Sequence, residues 1–163
     1  MAEEIRQKVN LLLQPTHDIE AWHAEVASLN KEEAIPVLLA ILNDSRQALR
    51  MQSQAVTLLG ELHDPRAVEP LIVTTANASD GLLRAKSALA LGKLEFKEAR
   101  VIQALIRGLE DSDDFVRECC AKVLGLMRIP EAVVPLDRMS AVDSVSTNRE
   151  AAQEASKSIR GVA

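Results

Sequence analysis

The sequence predicts an all-α protein, a short solenoid of antiparallel helix pairs, from three observations. Gly60, Gly92 and Gly125 recur at intervals of 32 and 33 residues, each closing a similar phrase: MQSQAVTLLG, LRAKSALALG and VRECCAKVLG. After the first and third glycines the chain repeats x-x-x-P-x-A-V-x-P-L, at Leu62 to Leu71 and again at Met127 to Leu136. Hydrophobic residues make up 47% of the 163 residues but aromatics only 2%, so the core must be built from Ala, Val, Leu and Ile, which suits close-packed helices. A period in this range marks stacked units, none of which buries its apolar face alone.

Each element follows from this register. AEEIRQKVNLLLQ reads as an amphipathic helix ending at Pro15, occupying residues 1–15 ahead of the array. The first pair, residues 17–44, takes HDIEAWHAEVASLN and EEAIPVLLAILND, with Pro36 lying 34 residues before Pro70. In the pairs at about 45–78, 80–111 and 112–143, the first helix carries Met51, Leu83 or Val116 nine residues before its glycine. Small Ala55, Ser87 or Cys120 stands five before it, and Leu59, Leu91 or Leu124 immediately before it. Offsets of four lie on one helical face, which therefore packs, while Gln54, Lys86 and Cys119 fall near its edge. The glycine is expected where the helix stops and the chain reverses. Pro65 and Pro130 then open second helices, where proline forfeits no needed hydrogen bond. The middle pair has a two-residue insertion and Ala104 in place of the internal proline. A last helix over 147–161 keeps the repeat's arginine as Arg149, puts Ser156 and Lys157 where Leu and Gly stood, and spaces Thr147 and Glu150 as a capping box. The whole of 1–163 reads as one domain.

LLRAKSALALGKL and FVRECCAKVLGLMRIPEAVVPL resemble the V-R-x-x-A-A-x-A-L-G-x-x-x-x-P-x-A-V-x-P-L consensus of short HEAT-like repeats of the phycobilisome-lyase type, over roughly Glu32 to Arg160. The resemblance implies that an acidic residue before each first helix, Asp80 or Asp113, pairs with a consensus arginine, Arg84 or Arg117, of a neighbouring repeat. Gln52 in the arginine position interrupts that ladder. The tetratricopeptide pattern needs aromatics that are absent here, and no ankyrin T-P-L-H-x-A tetrad occurs.

Charge narrows the function. Residues 1–44 hold 3 Lys/Arg and 8 Asp/Glu, and the rest 16 of each, so the one biased segment has the wrong sign for nucleic acid. A lesion glycosylase on such repeats would need a basic groove and is disfavoured. No apolar run is long enough to cross a membrane, and the charged start MAEEIRQK does not read as a signal peptide, so a cytoplasmic protein is expected.

Few residues suggest chemistry. Adjacent Cys119 and Cys120 cannot readily pair with each other. Cys119 is either a reactive thiol, placed to hold a tetrapyrrole or soft metal as bilin lyases of this repeat type suggest, or incidental beside Cys120 in the small-residue slot. His17 and His23 are six apart and face away from each other, and His63 lies in a turn, so none is assigned to a metal. The His-Glu pairs of deoxyhypusine hydroxylase, a related repeat enzyme, do not occur. Asp111, Asp113 and Asp114 lack the glycine and terminal Glu of a calcium loop. Neither a catalytic set nor a cofactor site is predicted. Trp22 either caps the core or anchors a partner. The acidic run Glu3, Glu4, Glu20, Glu25, Glu32 and Glu33 is a solvated face or steers a basic partner.

The expected function is a non-catalytic interaction scaffold or chaperone-like assembly factor, a right-handed solenoid docking a protein on a concave face lined by second helices: Glu69, Thr74, Gln103, Arg107, Val134 and Arg138. The resemblance adds an alternative, one subunit of a phycobilin lyase or isomerase acting on phycobiliproteins, with a bilin as its ligand.

Overall fold

The computed structural model describes residues 2–14 and 18–162; Pro15 and His17 lie outside them. Among the described residues there are ten α-helices and no strand. α1 spans Ala2–Leu12, α2 Ile19–Ala27, α3 Lys31–Asn43, α4 Leu49–Glu61, α5 Val68–Asn77, α6 Gly81–Leu94, α7 Ala99–Gly108, α8 Asp114–Leu126, α9 Val133–Val142 and α10 Ser146–Arg160.

The predicted starts are visible in the caps. Asp18, Asn30, Asp80 and Asp113 cap α2, α3, α6 and α8, their side-chain oxygens accepting from backbone amides of the first turn. Pro65 and Pro130 open short 3₁₀ turns, Pro65–Ala67 and Pro130–Ala132, that lead into α5 and α9. Pro70 and Pro135 then sit in the first turn of those helices, where no intrahelical amide bond is lost. At α10 the expected capping box does not form. Its cap is Val145, without a side-chain bond, while Asp143 accepts from the Val145 amide at 2.9 Å and Asn148 donates to the Asp114 carbonyl at 2.9 Å. A carboxylate from the preceding turn and a tie to α8 hold this end instead.

The first helices form one closely packed row, α4 on α6, α6 on α8 and α8 on α10. Each second helix leans on the first helix that follows it: α3 on α4, α5 on α6, α7 on α8 and α9 on α10. Leu59, Leu91 and Leu124 are fully buried, as are Ala55, Ser87 and Cys120, so the glycine-anchored register describes the core. Each such leucine contributes about 2 kcal/mol of burial.

The glycines themselves do a different job from the one expected. Gly60, Gly92 and Gly125 lie inside α4, α6 and α8 and not beyond their ends. A Cβ on Gly60 would lie 3.1 Å from the Ala90 Cα, one on Gly92 2.8 Å from a Val123 methyl, and one on Gly125 2.7 Å from the Ala155 Cα. Their missing side chains let neighbouring first helices approach. The reversal falls three residues later, on His63, Glu95 and Arg128, which hold φ of 48°, 57° and 51°. After α8 the Arg128 amide donates to Gly125 O at 3.1 Å and the Ile129 amide to Leu124 O at 3.2 Å, a Schellman closure built without glycine. Gly161, with φ of 68°, ends α10 in the manner expected of the others.

The two ends differ from the middle. α1 packs on α3, and the Trp22 indole of α2 donates to the Leu12 carbonyl at 3.1 Å. At the other end Gln153 and Lys157 of α10 take the places of Ala121 and Gly125 of α8. Polar side chains thus stand where α8 carries the small residues that admit its neighbour.

Candidate functional site

A ladder of half-buried charge runs along the turns between repeats. Arg84 Nη2 lies 2.7 Å from Asp111 Oδ1, and Arg117 Nε 2.7 Å from Asp143 Oδ2, each a pair across one repeat. The acids are therefore Asp111 and Asp143, not the expected Asp80 and Asp113, which are occupied as helix caps. The ladder's acid sits three residues before the first helix, where a guanidinium can also reach backbone carbonyls. Arg84 Nη1 donates to Ala78 O at 2.8 Å, and Arg117 Nη1 to Asp111 O at 2.9 Å. Gln52 still reaches Leu42 O at 3.0 Å, and the acid it would have needed is Ala78, so both partners of that rung are replaced together. The hydrogen bond from Arg117 holds the Asp143 carboxyl below the usual range, and Arg117 is raised in turn. These groups hold repeats together and leave no charge free for chemistry.

The thiols are equally occupied by packing. Cys119 and Cys120 are free and buried, and burial pushes Cys119 up to about 11 and Cys120 further. A side chain at Gly108 of α7 would run into the Cys120 sulfur. His63 is exposed, its Nδ1 2.9 Å from Glu61 O, and His23 stacks edge-on against Trp22. Among the described residues no three His, Cys, Asp or Glu side chains gather as metal ligands, and no helix is long and apolar enough to cross a membrane.

The sequence-predicted partner residues separate. Trp22 is half-buried against the core. Glu69 pairs with Arg100 at 3.1 Å, the Thr74 hydroxyl donates to Pro70 O at 2.8 Å, and Gln103 points to solvent. Arg107, Val134 and Arg138 do meet, along a groove of about 450 Å³ between α7 and α9 that Ile106, Met139 and Val142 complete.

A second surface was not read from the sequence. On the row of first helices Leu82 and Leu89 of α6 and Phe115 and Leu126 of α8 face solvent, Leu126 at 83% exposure. Leu126 separates two grooves. One, of about 670 Å³ between α6 and α8, has Leu89, Gly92, Val123 and Met127 in its walls. The other, of about 420 Å³ between α8 and α10, has Lys122, Gly125, Ala151 and Ala155. The glycines that admit the neighbouring helix also floor these grooves. A signal for the stripe was present at offsets ten before, three before and one after each glycine. There α4 has Arg50, Thr57 and Glu61, and α10 has Thr147, Glu154 and Ser158, whereas α6 has Leu82, Leu89 and Lys93, and α8 has Phe115, Lys122 and Leu126. Apolar residues at these solvent-facing positions are confined to the middle of the array.

Comparison with known proteins agrees with this architecture. The family profile described as HEAT repeats matches residues 68–157. A chain from the complex of CpcE and CpcF of phycocyanin lyase from Nostoc sp. PCC7120 superposes with a TM-score of 0.74 at 19% identity, covering 95% of this chain and 99% of that one. Human deoxyhypusine hydroxylase in complex with glycerol aligns over 98% of this chain and 88% of its own, at a TM-score of 0.34 and 16% identity. No curated protein matches the chain.

Proposed function

Since the chain belongs to the HEAT-repeat family, we propose that it is a non-catalytic scaffold, an assembly or maturation factor that holds a protein partner against its first-helix row. The carrying observation is the set of solvent-facing apolar residues Leu82, Leu89, Phe115 and Leu126 on α6 and α8, with Lys93 and Lys122 beside them and polar residues at the same positions of α4 and α10. Exposed apolar residues gathered on one row of helices with polar neighbours mark a contact site, whereas leucines scattered singly over a surface do not. The reading puts the main contact on this row, where the first helices pack closely on one another, in preference to the second-helix face expected from the sequence. The reading places the protein in the cytoplasm, consistent with two free thiols.

The test is capture from the source lysate with wild-type and Leu126→Asp bait. A stoichiometric partner held by the first and lost by the second supports the reading; the same proteins on both baits overturn it.

A second reading, one subunit of a phycobilin lyase or isomerase, draws on the likeness to the CpcE and CpcF complex over nearly the full length of both chains. A phycobiliprotein would then be the partner and a bilin the ligand. Visible absorbance in the captured fraction, together with bilin transfer to a phycobiliprotein cysteine, would select it. A colourless partner and no transfer would leave the scaffold.

A further inference from the structure

The second helices are bridged across the repeats by surface ion pairs. Arg66 reaches Glu32 at 2.8 Å between the first two, and Arg100 reaches Glu69 at 3.1 Å between the next. Between α7 and α9 the pair lies elsewhere and is looser: Glu110, just beyond α7, and Arg138, in the middle of α9, stand 3.5 Å apart with side chains 74% and 75% exposed. A pair this open to water contributes little and gives way readily. It spans the groove in which Val134 and Val142 of α9 stand 76% and 72% exposed. These two valines are about 12 Å apart along the helix axis, two turns with a little over, which suits the apolar face of a docked helix.

The charge available at this groove is not balanced. Asp143 lines it but accepts from Arg117 at 2.7 and 3.0 Å and is itself buried, so it has nothing to offer a ligand. Arg107 is exposed and has no carboxylate partner among the described residues. Two guanidinium groups therefore flank an apolar floor against one loosely held carboxylate, Glu110. Guanidinium groups recognise carboxylates through paired N–H donors, and such charges at a rim select partners by sign.

We infer that the groove between α7 and α9 is a second docking site, which takes an acidic amphipathic helix of a protein partner, with aliphatic side chains against Val134 and Val142 and carboxylates on Arg107 and Arg138. The inference rests on the scaffold reading and extends it: with one surface on the first helices and another on the second, the protein bridges two partners.

The experiment is fluorescence anisotropy with two labelled helical peptides of about sixteen residues. Both carry leucine at every third and fourth position; the remaining positions are rich in glutamate in one and lysine in the other. The wild-type protein should bind the glutamate peptide about tenfold more tightly than the lysine peptide, with a preference that fades as salt rises. Arg107→Glu with Arg138→Glu should reverse the preference, Val134→Asp should weaken binding of both peptides, and Leu126→Asp should change neither. All are exposed positions, and an unchanged thermal melt confirms that each variant is folded. Equal binding of the two peptides, binding of neither, or a preference untouched by the double charge reversal overturns the inference. Loss of lysate capture on Leu126→Asp alongside any of these results leaves the scaffold reading standing, so the two fail separately.

Discussion

Arg117 of α8 grips Asp143, 26 residues further on, through two hydrogen bonds of 2.7 and 3.0 Å, with its remaining nitrogen on the Asp111 carbonyl. Asp111 is in turn the acid gripped by Arg84, at 2.7 Å. Each rung ties a first helix to the turn before it and to the turn of the next repeat. Removing one partner leaves the other buried and uncompensated, so Arg117→Ala should cost about 3 kcal/mol, read as a fall in the urea midpoint. Gln52→Arg should not produce a matching gain, because its rung has Ala78 where the acid would be.

The ladder sets an acid limit. Asp143 is held low by its hydrogen bond from Arg117; Asp111 is raised by burial but lowered on balance by Arg84 and the Asp113 amide. A carboxyl depressed in the folded state contributes its full stability above the unfolded value of about 4, and loses it as pH falls through the folded value. Stability should therefore be flat from neutral pH to about 5 and fall steeply below about 4. Asp143→Asn should lower the plateau and flatten the fall, measured as urea midpoint against pH.

Glycine replacements should rank by what the new methyl meets. Gly125→Ala meets the Ala155 backbone at 2.7 Å, while Gly92→Ala meets the two methyls of the stiff Val123 side chain at 2.8 and 3.0 Å, side-chain atoms and not backbone. The first should cost about 2 kcal/mol and the second less, since alanine's better helix propensity returns about 1 kcal/mol in both. Gly60→Ala, at 3.1 Å, should be nearly neutral. Equal thermal shifts at all three would contradict the close-approach account.

The left-handed closures at Glu95 and Arg128 predict the opposite sign. Both hold φ near +55° without being glycine, at 57° and 51°. Glu95→Gly and Arg128→Gly should each raise stability by about 0.5 kcal/mol, the relief of the left-handed penalty less glycine's greater unfolded entropy. Thermal melts of the single and double variants would show it.

Two leucines two residues apart should behave in opposite ways. Leu124 is fully buried, and Leu124→Asp places a charge in the core with no partner and should unfold the array. Leu126→Asp, at a site 83% exposed, should move the melt by less than about 0.5 kcal/mol. Its effect should appear in partner capture alone.

Much of this was legible before any coordinates. The helix order and the core positions Leu59, Leu91 and Leu124 follow from spacing and residue type, because packed faces are local to one helix, whereas Asp80 and Asp113, expected as ladder acids, turned out to cap α6 and α8. Arg107, Val134 and Arg138 were identified as surface residues of second helices, and they share a groove; Glu69 and Thr74 were identified on the same grounds but have local partners.

The sequence by itself determined the repeat, its period and the faces that pack, since a 32- or 33-residue period and an offset of four need no knowledge of neighbours. Only the tertiary structure decided what the recurring small residues are for. Gly92 reads equally well as a helix terminator or as a close-approach site until Val123 is seen opposite it. Asp113 and Asp111 are interchangeable as ladder acids until the amides of α8 claim the one and Arg84 the other. Leu126 differs from Leu124 only in which side of α8 it occupies, and that side acquires meaning from α6 and α10 on either hand. Local rules fix a helix and its faces, but contacts between elements a repeat apart depend on distances that no single repeat contains.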